Sequence, residues 1–187
     1  SLIHDLLDKY GYTIHKPNTS GLEYRVADRF IVDATEWQID SIEFFAFVAG
    51  NTDINKLFDR YTIQIWEGEP GDPNSVLIWG NEFMNRHLRS RFSNTYRQYV
   101  NAPSPIISNM CSTPELILTE GEYWIDWNGR AVPNSAEVLN PPVVYPDEVI
   151  TGDGRHAMGR EWNMALDLEF PQGFPFNIYG TAIRKPV

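Results

Sequence analysis

The chain has 187 residues, with 15 Lys and Arg against 25 Asp and Glu, which gives a formal net charge of −10. This length suits one domain with a sizeable core, and 42% hydrophobic residues exclude a disordered chain. The acidic balance argues against a nucleic-acid partner, because phosphates need a basic surface. No run approaches the roughly 18 apolar residues of a membrane-spanning helix, so we expect no membrane insertion.

The first 21 residues differ in character from the rest. Four leucine and isoleucine side chains within residues 2–9 have helical spacing. They predict an N-terminal extension or a short helix in residues 1–21, followed by a single domain over 22–187. The opening residues carry neither the basic region nor the small-residue cleavage site of a signal peptide.

After Gly21 the chain consists of short runs separated by Gly, Pro, Asn and Asp. The strongest strand candidate is 39–48, which is apolar on both faces and therefore belongs inside a sandwich. Residues 164–170 alternate and predict a strand with Leu166 and Leu168 on a dry face and Asp167 on a wet one. The other predicted strands are 29–32, 61–66, 76–79, 96–100, 116–118, 123–127 and 176–179. Irregular stretches are expected at 80–95 and 128–160.

This pattern of short strands and turn clusters predicts the fold class. No segment longer than the N-terminal one has helical periodicity. We therefore expect an all-β antiparallel sandwich, jelly-roll-like, with a short N-terminal extension.

Six segments together resemble an uncharacterised β-sandwich module of secreted or surface bacterial proteins. They read ADRFIV (27–32), WQIDSIEFF (37–45), IWEGEPGD (65–72), VLIWG (76–80), GEYWIDW (121–127) and PFNIYG (175–180). The likeness covers roughly residues 22–181, whereas 132–143 depart from the aromatic-rich stretch that it would place there. The resemblance implies a secreted or cell-surface location within a larger polypeptide, and it implies no activity.

The usual signatures of catalysis are missing from the sequence. There is no Gly-x-Ser-x-Gly string for a serine nucleophile and no His-Glu-x-x-His string for zinc. The single cysteine rules out an intrachain disulfide. We expect no catalytic residues and no enzyme activity.

Asp126 is the carboxylate with the most unusual surroundings, because it lies between Trp124 and Trp127. Flanking indoles could raise its pKa by desolvation, as a glycosidase acid requires. The ordinary alternative is an ion pair with an arginine, for which Arg97 and Arg130 are the natural partners.

Calcium is the only cofactor that the sequence suggests. Asn51, Asp53 and Asn55 place three oxygen-bearing side chains at alternate positions of a loop, and Ca²⁺ prefers such oxygen ligands. The loop lacks the Glu and Gly pattern of an EF-hand, so binding would be weak. An Asx-rich turn without metal is the alternative.

Two aromatic and amide pairs are the candidate ligand-binding residues. Trp127 stands before Asn128 and Arg130, and Trp162 stands before Asn163. Sandwich loops cluster at the two ends of the sheets and carry function there. If both indoles lie exposed at one end, they form a platform for stacking sugar rings, whereas burial would make them core residues.

Three functions follow from these observations. The first is a non-catalytic module of a secreted or surface protein that mediates adhesion or carbohydrate binding, with a glycan or a surface protein as partner. The second is a purely structural spacer of a larger exported protein. The third is a carboxylate-dependent glycoside hydrolase.

Overall fold

The computed structural model describes residues 10–17, 23–99, 102–145 and 147–184, and every regular element in these ranges is a β-strand. The strands are β1 Tyr12–His15, β2 Tyr24–Val48, β3 Phe58–Glu67, β4 Val76–Asn81, β5 His87–Tyr99, β6 Ala102–Ala131, β7 Val138–Asn140, β8 Arg155–Met158, β9 Glu161–Met164, β10 Leu166–Asp167, β11 Phe170–Pro171 and β12 Phe176–Ile183. No helix in these ranges has the length and apolar character needed to span a membrane.

Two long strands, β2 and β6, organise the whole sheet. They pair antiparallel along most of their lengths, and the register shifts between Val32 and Glu36, opposite Gly121 of β6. The first half of β2 lies in the strand order β9–β8–β2–β6–β3–β4, and the second half lies in the order β12–β2–β6–β5. The two halves therefore have different neighbours, although they share the same pair of strands.

The core forms where these two halves of one curled sheet face each other. Trp127 of the first half packs on Phe44 of the second, with ring centroids 4.7 Å apart. Alternation along each strand places every second side chain on this inner face. The buried inner-face residues include Val26, Ile63, Ile65 and Ile125 from the first half and Ile42, Phe44, Ile107 and Cys111 from the second. The prediction of an all-β, antiparallel, sandwich-like fold is confirmed.

Three local predictions differ from the structure. Residues 80–95 and 128–160 are less irregular than expected, because they contain β5, β7 and β8. Residues 164–170 do not form one strand: β10 and β11 are joined by a turn in which Leu168 has φ 55°. The turn reverses the chain, so Asp167 is buried and Leu168 is exposed, the opposite of the predicted faces.

The N-terminal segment also differs in part from its prediction. Tyr12 and Ile14 are buried, and β1 pairs with β7, so the sheet begins before residue 22. The helical spacing at residues 2–9 lies outside the described residues.

Candidate functional site

A polar cluster occupies the face of the first half-sheet that points away from the core. The cluster is formed by side chains on the outer face of β2, β3 and β6, which alternate with the inner-face positions. They lie beside one another because these three strands are in register there. Arg25 forms an ion pair with Asp126 and donates from Nη1 to Thr62 Oγ1 at 2.8 Å. Asn128 Oδ1 accepts from the same Thr62 hydroxyl at 2.9 Å. This cluster ties the three central strands together.

Asp126 has the arginine partner that the ordinary alternative expected, but the partner is Arg25, not Arg97 or Arg130. Trp66 also donates its indole N–H to Asp126 Oδ2 at 2.5 Å. Burial raises the pKa of Asp126, and the donors Arg25 and Trp66 oppose that rise. The carboxylate is fully buried with both oxygens bonded, so it has no exposed oxygen to offer a substrate.

The two ends of the first half-sheet meet over this polar face. β4 and β9 are the outermost strands, yet the turn before β4 reaches back to β8. Arg155 of β8 makes a bidentate ion pair with Glu69 of that turn, at 2.5 and 2.8 Å. The Arg155 guanidinium also lies 5.4 Å from the ring centre of Trp124. The ion pair therefore joins β8 to the turn before β4 across the outer face of this half-sheet.

A groove opens beside this closure, between the turn at 69–72 and the start of β9. Its volume is about 530 Å³, and its walls are Glu69, Pro70, Gly71 and Asp72 on one side and Arg160, Glu161, Trp162 and Asn163 on the other. Trp162 is half-buried, whereas Asp72, Glu161 and Asn163 are exposed. The groove is thus lined by an aromatic residue, an amide residue, three acidic residues and an arginine.

Gly71 allows Trp162 to lie against the turn. Its φ is +93°, which L side chains rarely adopt, and an added Cβ would lie 2.8 Å from Cδ1 of Trp162. Any other residue at position 71 would displace the indole. The glycine therefore leaves the space in which the indole lies against the turn.

The predicted stacking platform of Trp127 and Trp162 does not form. Trp127 is fully buried, donates its indole N–H to Asn140 Oδ1 at 3.1 Å and packs against Phe174 and Phe176. Trp127 was expected at a strand end, but β6 continues to Ala131 in register with β3. The side chain at 127 consequently alternates onto the inner face, opposite to Asp126.

The residues expected beside Trp127 bond within the fold. Arg130 makes a bidentate ion pair with Asp59, at 2.9 Å for both contacts. This contact lowers the pKa of Asp59 and raises that of Arg130. Of the five predicted ligand residues, only Trp162 and Asn163 line the groove.

The predicted calcium loop forms an Asx turn. Asp53 Oδ1 accepts from the backbone N–H of Asn55 at 2.9 Å, and the Asn51 amide donates to the Asp53 carbonyl at 3.2 Å. Within the ranges that the structure describes, no group of three or more His, Cys, Asp or Glu could hold a metal ion. Weak calcium binding by these three residues stays a prediction.

A second polar cluster lies on the outer face of the other half-sheet, around Glu43. Its carboxylate accepts from Arg91 and Ser108 at one oxygen and from Asn177 and Tyr179, both at 2.9 Å, at the other. Burial acts to raise the pKa of Glu43, but these four donors outweigh it and lower the pKa to about 2. The cluster joins β12 to β2, β5 and β6, so its role is structural.

Sequence reasoning missed the wall formed by residues 69–72. The turn is separated from β9 by about ninety positions, and no local pattern links the two segments. The positive φ at Gly71 marks a constrained turn, but it does not identify the ring that contacts it. The chain matches no protein-family model, no curated protein and no solved structure.

Proposed function

We propose that this chain is a non-catalytic, glycan-binding module of a secreted or cell-surface protein, and that the sugar binds in the groove between 69–72 and 160–163. The observation that carries the proposal is Trp162, a half-buried indole held against Gly71 at the wall of an open polar groove. The secreted or surface location and the larger polypeptide rest on the resemblance described above.

The groove chemistry suits a sugar. A pyranose presents a C–H face that stacks on an aromatic ring, and its hydroxyls both donate and accept hydrogen bonds. Asp72 and Glu161 accept, Arg160 donates, and the Asn163 amide does both. Because the packed turn fixes Trp162, binding loses little side-chain entropy.

The charge of the groove favours some sugars over others. The ion pair with Arg155 neutralises Glu69, which leaves the carboxylates of Asp72 and Glu161 against the guanidinium of Arg160. We therefore expect neutral or amine-bearing sugars to bind better than sulfated sugars or uronic acids, because like charges repel in a confined space.

Glycan binding and turnover are tested together. The chain is screened on a glycan array, and each sugar that binds is measured by calorimetry and then incubated to detect cleavage products. We expect binding without cleavage. Cleavage would instead favour the glycoside hydrolase, with the groove carboxylates as its acids. Binding to no glycan would refute the proposal and favour the spacer.

Site variants then locate the binding surface. Asn163→Ala removes an exposed amide from the groove and should weaken binding about tenfold, the loss of one good hydrogen bond. Asn55→Ala is the matched control, because it also removes an exposed amide but lies outside the groove, between β2 and β3. Equal binding by the two variants would move the site away from the groove.

A further inference from the structure

An apolar groove lies on the outer face of the second half-sheet, beside the Glu43 cluster. Phe45 of β2 is on that face because it lies two positions from Glu43, and it pairs with Ser108 of β6. Ile106 lies two positions from Ser108, so it shares the face and lines the groove with Phe45. The groove has a volume of about 260 Å³. It is separate from the groove between 69–72 and 160–163, so this inference does not depend on the proposed function.

Hydrogen bonds fix two walls of this groove. One wall is Thr95, in a segment of β5 where the register against β6 shifts. Ser93 of the same segment donates its hydroxyl to the Ile106 carbonyl at 2.8 Å. Another wall is the segment 141–144, in which the Val143 N–H donates to the Gly173 carbonyl at 2.8 Å. Both walls are therefore tied to the rest of the fold.

Solvent still reaches part of the apolar lining. Four of its apolar residues are only half-buried: Phe45, Val143, Val144 and Pro175. Among the described residues that line the groove, none is charged. An occupant must therefore bring apolar groups, because the burial of apolar surface is what such a lining offers. A cavity of about 150 Å³ holds one benzene-sized molecule, so this groove has room for one or two large apolar side chains.

The described chain begins beside this groove. Arg97 Nε donates to the Tyr10 carbonyl at 2.8 Å. Arg97 of β5 pairs with Ser104 of β6, and Ser104 lies two positions before Ile106 on the same face. Residues two positions apart on a strand are about 7 Å apart. The contact with Arg97 therefore places Tyr10 near the part of the groove that β5 and β6 line.

A second contact gives the same position from β2. An added Cβ on Gly11 would lie 3.0 Å from Cε1 of Phe47. Phe47 lies two positions after Phe45 on β2, about 7 Å away. Residues 10 and 11 therefore lie against two of the strands that line the groove, β2 through Phe47 and β5 through Arg97.

The residues that precede this position have the apolar character that the groove requires. Four of the six residues 2–7 are leucine or isoleucine: Leu2, Ile3, Leu6 and Leu7. An extended chain spans at most about 3.5 Å per residue, so Leu7 and Leu6 reach up to about 10 and 14 Å from Tyr10. Both side chains are therefore within reach of the groove. Because the segment is attached beside the groove, its effective concentration there is high, and it outcompetes apolar groups of other molecules.

We infer that the N-terminal segment 2–7 binds in cis to this apolar groove and places the side chains of Leu6 and Leu7 in it. Two leucine side chains suit the volume of the groove. Their burial removes apolar surface from water on the segment and on the half-buried lining. The bound segment covers Phe45 and Val144 and joins the start of the chain to the outer face of the second half-sheet.

Disulfide trapping in the full chain tests the position of the segment. Leu6→Cys combined with Thr95→Cys should form an intrachain disulfide on mild oxidation, detected by mass spectrometry of a non-reduced digest. Leu6→Cys combined with Thr35→Cys is the matched control, because Thr35 is also exposed but lies about 40 Å along β2 from Phe47. The Thr95 pair should oxidise at least about tenfold faster. Cys111 is buried and does not compete.

Three outcomes of the trapping experiment overturn the inference. Equal oxidation of the two pairs would show that the segment has no preferred position. No disulfide with Thr95→Cys would leave the groove to a partner from outside the chain. A disulfide that forms only between two molecules would assign the groove to the segment of a second copy.

Nuclear magnetic resonance of the full chain tests the contact without a cross-link. Replacing both leucines, Leu6→Ser with Leu7→Ser, should shift the backbone amide resonances of Val143 and Val144, because the groups beside them change. Leu77→Ser is the matched control, because Leu77 is 39% exposed but lies on β4 of the first half-sheet. It should leave those resonances in place. Unmoved groove resonances in the double variant, or equal shifts in both variants, would contradict the contact.

Discussion

Replacing Trp127 separates a core role from the ligand-binding role that the sequence suggested. The side chain is fully buried between Phe44, Phe174 and Phe176, and it bonds to Asn140. Truncating such a side chain to alanine costs about 3–5 kcal/mol, because apolar contacts are lost and a cavity is left. A domain of this size has about 5–15 kcal/mol of stability in total. Trp127→Ala should therefore lose a large fraction of its free energy of unfolding.

Urea denaturation followed by far-ultraviolet circular dichroism measures this effect without relying on indole fluorescence. Trp127→Phe is the companion variant: it keeps most of the apolar contact and loses the N–H that Asn140 Oδ1 accepts. We expect it to cost about 1–3 kcal/mol, the range for leaving a buried acceptor unpaired, and to bind glycan as the unmodified chain does. A loss below about 1 kcal/mol for Trp127→Ala would refute the assignment of Trp127 to the core.

Three further predictions concern the charged groups. Because the pKa of Glu43 is lowered from 4.5 to about 2 in the folded chain, the carboxylate contributes about 3 kcal/mol at neutral pH. This stability is fully present above pH 4.5 and is lost as the pH falls towards 2. Glu43→Gln should flatten the stability curve over this window, and an unchanged curve would contradict the assignment. Asp126→Asn should lower the free energy of unfolding, measured by urea denaturation, by about 3–5 kcal/mol, because it leaves Arg25 buried without its counter-charge. The double variant Arg25→Met with Asp126→Leu should lose less. An equal or larger loss would argue against the ion pair as the cause. Millimolar calcium should raise the melting temperature and Asp53→Ala should abolish that rise, whereas a temperature unaffected by calcium in the unmodified chain would remove the metal hypothesis.

The pattern of apolar runs and turn clusters was enough to predict strands and their antiparallel arrangement. It identified 39–48 as a strand apolar on both faces, because both faces of a central strand can be covered. It failed at 164–170, where the alternation continues through a turn at Leu168. Periodicity reports which residues share a face, but it does not report where the chain reverses.

The candidate site shows the same division between local pattern and tertiary structure. The sequence alone identified Trp162 and Asn163 as an aromatic and amide pair before any partner was known. It also suggested Trp127, because nothing local shows that β6 continues to Ala131 and places that indole in the core. The outcome for each indole depends on which face of which strand it occupies. The pairing of β6 with β3 decides this for Trp127, and the pairing of β9 with β8 decides it for Trp162.

Only the tertiary structure brought the turn at 69–72 to β9. The sheet curves so that these two segments lie close together. The ion pair between Glu69 and Arg155 links the turn to β8, the neighbour of β9. Such contacts join residues that are far apart in the chain, so they depend on the twist and register of several strands at once. The sequence by itself determined the fold class, the acidic charge and the aromatic candidates. The curvature of the sheet decided which of those candidates share a groove.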